Sequence, residues 1–217
     1  MWDNLQILGL APVFNLQLWL NGLSVGAVFA LAAYGLALVW GVTSVKNLCQ
    51  GDLVMMGGYL GYELGRHGVP PLYAIVPVAL IMFCFGWILY RLIIRRVIEL
   101  DLFTSLLATF GLAITIQQSL NLVFGPEVRT LKSGFGTIEM FGGMVNITWI
   151  RVLGFCLCIA LAAAMVLFLR KTRMGQAIRA TAQDPRAARV MGVNTDTVYA
   201  LTFSINAAVC GAAGVLI

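Results

Sequence analysis

Long apolar runs alternate with short polar interruptions along this chain, and their spacing predicts its elements. A helix needs about 20 apolar residues to cross a hydrocarbon core. Runs of that kind cover roughly 16–40, 72–90, 102–124, 149–169 and 199–217. A sixth run, 53–65, would extend only ~20 Å at 1.5 Å per residue. It is crowded by Gly51, Gly57, Gly58, Gly61 and Gly65 and preceded by Asn47, Gln50 and Asp52. The pattern predicts an all-α, polytopic helical membrane protein with about six spans in one domain over 1–217.

The residues within these runs predict how the helices face. In the first, Gly22, Gly26, Ala30, Ala33, Ala37 and Gly41 recur every three or four residues. A face this flat lets backbones approach closely in lipid, where packing drives association, so this helix is expected inside the bundle. The last run carries a similar face of Ser204, Ala207, Gly211 and Gly214. In 102–124, Thr104, Ala108, Gly111, Thr115 and Gln118 form a polar stripe, expected to face the bundle because polar groups in lipid are costly. That stripe is open to two uses, interhelical hydrogen bonding or lining a pathway. The segment 47–65 also has two readings. One is a glycine-interrupted membrane segment marking a transport pathway, with Asn47, Gly51 and Asp52 at its mouth. The other is an ordinary helix with Asp52 stabilised at its N-terminus by the helix dipole. Alternating short apolar pieces and glycines over 125–148 predict an external loop with a small hairpin.

One stretch breaks the apolar pattern: RKTRMGQAIRATAQDPRAARVMGVNTDTV, residues 170–198. Asp184 is a favoured N-cap, Pro185 suits the first helical position, and Gly192 suits a left-handed C-terminal stop. Between them a helix of about two turns is predicted, which is marginal alone in water and so must dock on something. Arg186 and Arg189, three apart, share a face, with Val190 and Met191 beside them. Spacing leaves open a solvated basic loop or a docking element for a soluble partner.

Composition supports the membrane assignment. The chain is 60% hydrophobic and 11% charged, against about 25% charged in soluble domains. The net charge of +5 does not point to nucleic acid, because the basic residues sit at the ends of apolar runs. Placing 41–52, 91–101 and 170–198 inside puts ten of the fourteen Lys/Arg there, from Lys46 to Arg189; Arg66, Arg129, Lys132 and Arg151 fall outside. That asymmetry predicts an external N-terminus and a cytoplasmic basic loop. The first basic residue is Lys46, so no signal-peptide n-region is read. The five cysteines and single His67 show no metal-ligand spacing, and the cysteines read as packing residues.

The chain resembles the permease subunits of branched-chain amino acid ABC importers, in particular the LivH-like type. The blocks NGLSVGAVFALAAYGLALVWGV, NLCQGDLVMMGGYL and GQAIRATAQDPRAARVMGVNTDTVYALTFSINAAVCGAAGVL carry the resemblance. In the last block Gly175, Arg179, Ala180, Asp184, Ala188 and Gly192 match the family's cytoplasmic loop in order and spacing. The resemblance implies that this loop, with Pro185, Arg186 and Arg189, seats on an ATP-binding subunit. The chain departs from the family pattern at Cys49 and Gln50, which stand where a small residue and a histidine are usual. Family members continue through further spans, so the resemblance implies a C-terminally truncated member.

The function expected is that of a membrane-spanning permease subunit of an ATP-driven importer for branched-chain amino acids, in a bacterial inner membrane. Its implied partners are a second permease subunit, two cytoplasmic ATP-binding subunits, a periplasmic substrate-binding protein, the amino-acid substrate and the lipid bilayer. No cofactor is expected in this subunit, since it has no GxxxxGK[ST] phosphate loop and ATP would be bound by its partners. A urea or short-amide importer is the neighbouring alternative. An ion-coupled carrier would need ionisable groups deep in the bilayer, for which Asp52 and Glu63 are the candidates. No catalytic constellation is read at membrane depth, so an enzyme is not expected.

Overall fold

The structure, a computed structural model, describes residues 12–43, 45, 47–98, 101–125, 137–140 and 145–217. The helices are α1 (Pro12–Thr43), α2 (Gln50–Arg66), α3 (Pro71–Leu89), α4 (Leu102–Phe124), α5 (Trp149–Lys171), α6 (Arg173–Gln183), α7 (Pro185–Val190) and α8 (Thr195–Leu216). A π-helical turn, Tyr90–Ile94, and a last short turn, Arg95–Val97, prolong α3. Among the described residues α1, the prolonged α3, α4, α5 and α8 are long and apolar enough to cross a membrane. The fold is all-α and polytopic apart from one hairpin, β1 (Thr137–Met140) paired antiparallel with β2 (Val145–Thr148). That hairpin lies within the segment where one was expected; 126–136 and 141–144 lie outside the described residues.

The short sixth run becomes α2, which is not among the helices of spanning length. It starts at Gln50, so Gln50, Gly51 and Asp52 form its first turn rather than a broken approach. Its 17 residues give a rod of about 26 Å. Gly68, at φ 85°, closes it: Gly68 N–H donates to Gly65 O at 3.0 Å and Val69 N–H to Leu64 O at 3.2 Å, the two-bond Schellman stop. Pro70 and Pro71 then start α3.

The core is organised around α8, which packs against α1, α2 and α3 and is buried along nearly its whole length. Its predicted small face makes this possible. A Cβ on Gly86 of α3 would meet Ala207 Cβ at 2.7 Å and Ser204 Cα at 3.0 Å; one on Gly214 would run into Val54 O of α2. Around this crossing lie Leu53, Val78, Met82, Tyr90 and Phe203, all essentially excluded from solvent.

Two expectations about facing are corrected. The stripe Gly22, Gly26, Ala30, Ala33, Ala37, Gly41 points outward, not into the bundle. The side of α1 that packs inward carries Val28, Leu31, Val39 and Val42. Val28 and Leu31 cluster with Ala213, so there the small side lies on α8 and the branched side chains on α1. In α4 the inward face is Ser105, Thr109, Leu112, Ile116 and Leu120, while Thr115 and Gln118 are exposed. Ser105 and Thr109 are small and satisfy their hydroxyls on nearby backbone carbonyls, Thr109 Oγ1 on Ser105 O at 3.1 Å, so burying them costs little. The bulkier amides stay outside. Of the cysteines, Cys49, Cys158 and Cys210 are buried and Cys84 and Cys156 exposed.

Candidate functional site

The basic segment folds as a sharp corner followed by two helices. Thr172 makes the corner: its hydroxyl donates to Phe168 O at 2.7 Å, ending α5, and accepts from Gly175 N–H at 2.9 Å, starting α6. Gly175 is buried, and a Cβ there would meet the Phe168 and Leu169 carbonyls at 2.5 Å, so only glycine fits this turn. Helix α6 was not anticipated. It buries Ile178 and Thr181 and leaves Arg179 exposed.

Helix α7 forms where the sequence places it. Asp184 Oδ1 accepts from Arg186 N–H at 2.8 Å and from Ala187 N–H at 3.1 Å, and Pro185 occupies the first helical position. Gly192, at φ 86°, ends it with a second Schellman pair: Gly192 N–H on Arg189 O and Val193 N–H on Ala188 O, both 3.0 Å. Ala188 is the residue buried inward. Arg186 is exposed, and Val190 and Met191 are 86% and 83% exposed. The two arginines part company. Arg189 turns back, donating from Nε to Thr195 Oγ1 at 2.7 Å. Beside α7 an open groove of about 290 Å³ runs between α6 and α8, lined by Met174, Ala177, Val193, Asn194 and Thr197 among others.

The first turn of α8 is held from the other side as well. Asn194 caps it, accepting from Thr197 N–H at 3.2 Å. Asp196 Oδ1 accepts from Tyr90 OH at 2.8 Å and pairs with Arg95 Nε at 3.2 Å. Tyr90 is buried and belongs to the π-helical turn that prolongs α3.

Farther along α8 lies a polar cluster that no local pattern announced. Gln50 and Asn206 face each other with their amides reciprocally bonded. Gln50 Nε2 donates to Asn206 Oδ1 at 3.0 Å, and Asn206 Nδ2 donates to Gln50 Oε1 at 2.9 Å. Gln50 Nε2 also lies 2.9 Å from Ala32 O and 3.0 Å from Cys210 Sγ. An amide has two N–H bonds, so these three acceptors share two hydrogens and the sulfur is the weakest claimant. One side chain thereby ties α1, α2 and α8 at a single point. A Cβ on Gly35 would collide with Asn206 Oδ1, so glycine is what allows the amide to sit there.

The candidate pathway residues divide. Asn47 is buried at the approach to α2, where Oδ1 accepts from Cys49 N–H at 3.2 Å and Cys49 Sγ at 2.8 Å. Its Nδ2, like Thr181 Oγ1, has no hydrogen-bond partner among the described residues. Gly51 is exposed and Asp52 half-buried. Thr104 is taken up by the cap of α4, its hydroxyl donating to Asp101 Oδ1 at 2.6 Å. Thr115 donates to Gly111 O at 2.8 Å and, with Gln118, lies on the outer surface of this chain. Among the described residues no hydrogen bond joins the two groups, whose bonds are local ones. Glu63 pairs with Arg66 at 3.3 Å near the end of α2, so neither it nor Asp52 sits mid-helix.

The profile of the family described as "Branched-chain amino acid transport system / permease component" matches residues 18–217. The chain is 30% identical to the high-affinity branched-chain amino acid transport system permease protein LivH of Salmonella typhimurium and to that of Escherichia coli K12, over 94% of this chain and 71% of each relative. It is 30% identical to the permease protein BraD of Pseudomonas aeruginosa, over 93% of this chain and 70% of that one. No solved structure matches. With its bundle of apolar helices and its capped basic segment, the chain belongs to the family of branched-chain amino acid transport permease components.

Proposed function

We propose that this chain is a membrane-spanning half of an ATP-driven importer for branched-chain amino acids, with 170–198 as its contact to the motor. The observation that carries the reading is α7. An apolar bundle presents one short, doubly capped helix whose exposed tip combines Arg186 with Val190 and Met191. Large apolar side chains beside a cation, held outside the spans, suit docking onto a soluble protein. The relatives are named as high-affinity branched-chain amino acid permeases, which supports that substrate class. ATP would be bound by two partner subunits on the cytoplasmic side, with the N-terminus outside. A periplasmic binding protein would deliver substrate across the bacterial inner membrane.

A second permease subunit would cover part of what this chain leaves open. Thr115, Gln117, Gln118, Ser119 and Asn121 are exposed on α4. Amides facing hydrocarbon are unfavourable, so this surface is assigned to the pathway or its partner subunit rather than to lipid. The test is leucine uptake into proteoliposomes holding this chain with its partner subunits and binding protein. Uptake requiring ATP and indifferent to proton and sodium gradients supports the importer; gradient-driven uptake without ATP overturns it. Within the same preparation, Arg186→Glu with Met191→Asp should reduce co-purification of the ATP-binding subunit while membrane insertion is retained.

A further inference from the structure

We infer that α8 is the lever that carries motion from α7 to the mouth of α2, with Asp196 and Tyr90 as positioning residues at its driven end. The inference rests on the coupling reading given above. Three contacts converge on the first two residues of α8. Arg189 of α7 bonds Thr195, while Tyr90 and Arg95 of the prolonged α3 both hold Asp196. A shift of α7 is therefore passed to the start of α8 through the Arg189–Thr195 bond, while the Tyr90 and Arg95 contacts hold that turn against the prolonged α3.

The opposite contact lies at Asn206, about 16 Å farther along at 1.5 Å per residue. There the reciprocal amide pair with Gln50 grips the first turn of α2, next to Asn47, Gly51 and Asp52, and reaches Ala32 of α1. Between the two ends, residues 195–210 contain neither glycine nor proline, and the side chains are packed on several sides. A continuous helix without those breakers transmits displacement rather than absorbing it.

The driven end has the makings of a joint. Tyr90 sits in a π-helical turn, a local widening that occurs often at functional sites. The Arg95–Asp196 pair is half-exposed and contributes little as an ion pair. The more directional contact is the buried Tyr90 hydroxyl on the carboxylate, a charge-assisted bond. Such a joint positions α8 against α3 while leaving Asp196 able to exchange partners as α7 moves.

The experiment measures leucine transported per ATP hydrolysed by the complete reconstituted transporter carrying Asp196→Ala or Tyr90→Phe. A purely structural role would lower yield and both rates together. The lever instead predicts unchanged co-purification of the ATP-binding subunits and a fall of about 5-fold or more in the ratio. Asp196→Asn, which keeps an acceptor for the Tyr90 hydroxyl, should retain part of the ratio lost in Asp196→Ala. Unchanged ratios in both single variants overturn the lever. Loss of ATP-binding subunits from Asp196→Ala overturns it too, since Asp196 would then belong to docking. An unmodified transporter without ATP-driven uptake overturns the parent reading and the lever with it, whereas unchanged ratios in the variants overturn the lever alone.

Discussion

Replacing Asn206 with alanine tests whether the Gln50–Asn206 pair holds three helices together. The substitution removes two hydrogen bonds, of 3.0 and 2.9 Å. Gln50 Nε2 keeps Ala32 O as an acceptor, but Gln50 Oε1 loses the partner described for it. Interhelical hydrogen bonds in membrane proteins average ~0.6 kcal/mol each, so the two bonds contribute about 1 kcal/mol. Leaving a buried polar atom unpaired adds about 1–3 kcal/mol, which puts the single variant near 2–4 kcal/mol. In Gln50→Ala with Asn206→Ala no orphan remains and the shared bonds are lost once, so the double variant should cost less than the sum of the singles by about 3 kcal/mol, the upper end for residues in contact. The assay is reversible unfolding in mixed detergent micelles, followed by circular dichroism, for the four members of the cycle. Additive losses, with a coupling below about 0.3 kcal/mol, would refute the claim that these amides act as one unit.

Three further predictions follow from local geometry. Gly35→Ala should destabilise the chain, because its Cβ collides with Asn206 Oδ1; in an Asn206→Ala background the sign should reverse, since Gly→Ala within a helix stabilises by up to ~1 kcal/mol. At α7, Asp184→Ala should cost ~1 kcal/mol through its two lost cap bonds, and Gly192→Ala about 1–2 kcal/mol through its left-handed backbone. Both should appear as faster amide exchange confined to 185–193. Asp101, the cap of α4, has its carboxyl held below the usual range by the Thr104 hydroxyl and then the Thr104 N–H. Because its folded value is depressed, the cap contributes fully above the unfolded value of about 3.9 and is lost as pH falls through the folded one. Protection factors at 103–105 should therefore drop below about pH 4, and Asp101→Asn should remove that pH dependence.

Legibility in the sequence followed locality. Helix α7 could be read residue by residue because Asp184, Pro185 and Gly192 act on their own immediate backbone. The limits of α4 were readable from its apolar run, and the small face of α8 from the spacing of Ser204, Ala207, Gly211 and Gly214. Helix α6 went unread although the signals were present: Thr172 as a cap, then Met174, Ile178 and Thr181 at helical spacing. Its charges and Gly175 made it look like part of a loop. The facing of α1 was misjudged because two flat faces occurred in one chain, and only the packing decides which is buried. The Gln50–Asn206 pair joins residues 156 positions apart, and neither residue carries a local mark of its counterpart.

The coupling role of 170–198 depends most on where α7 points and what covers it. A single cysteine in place of Arg186, in a chain whose exposed Cys84 and Cys156 are replaced by serine, can be probed with a membrane-impermeant thiol reagent. The prediction is no labelling in intact cells, labelling in inverted vesicles, and protection when the ATP-binding subunits are bound. Labelling from the outside of intact cells would contradict it.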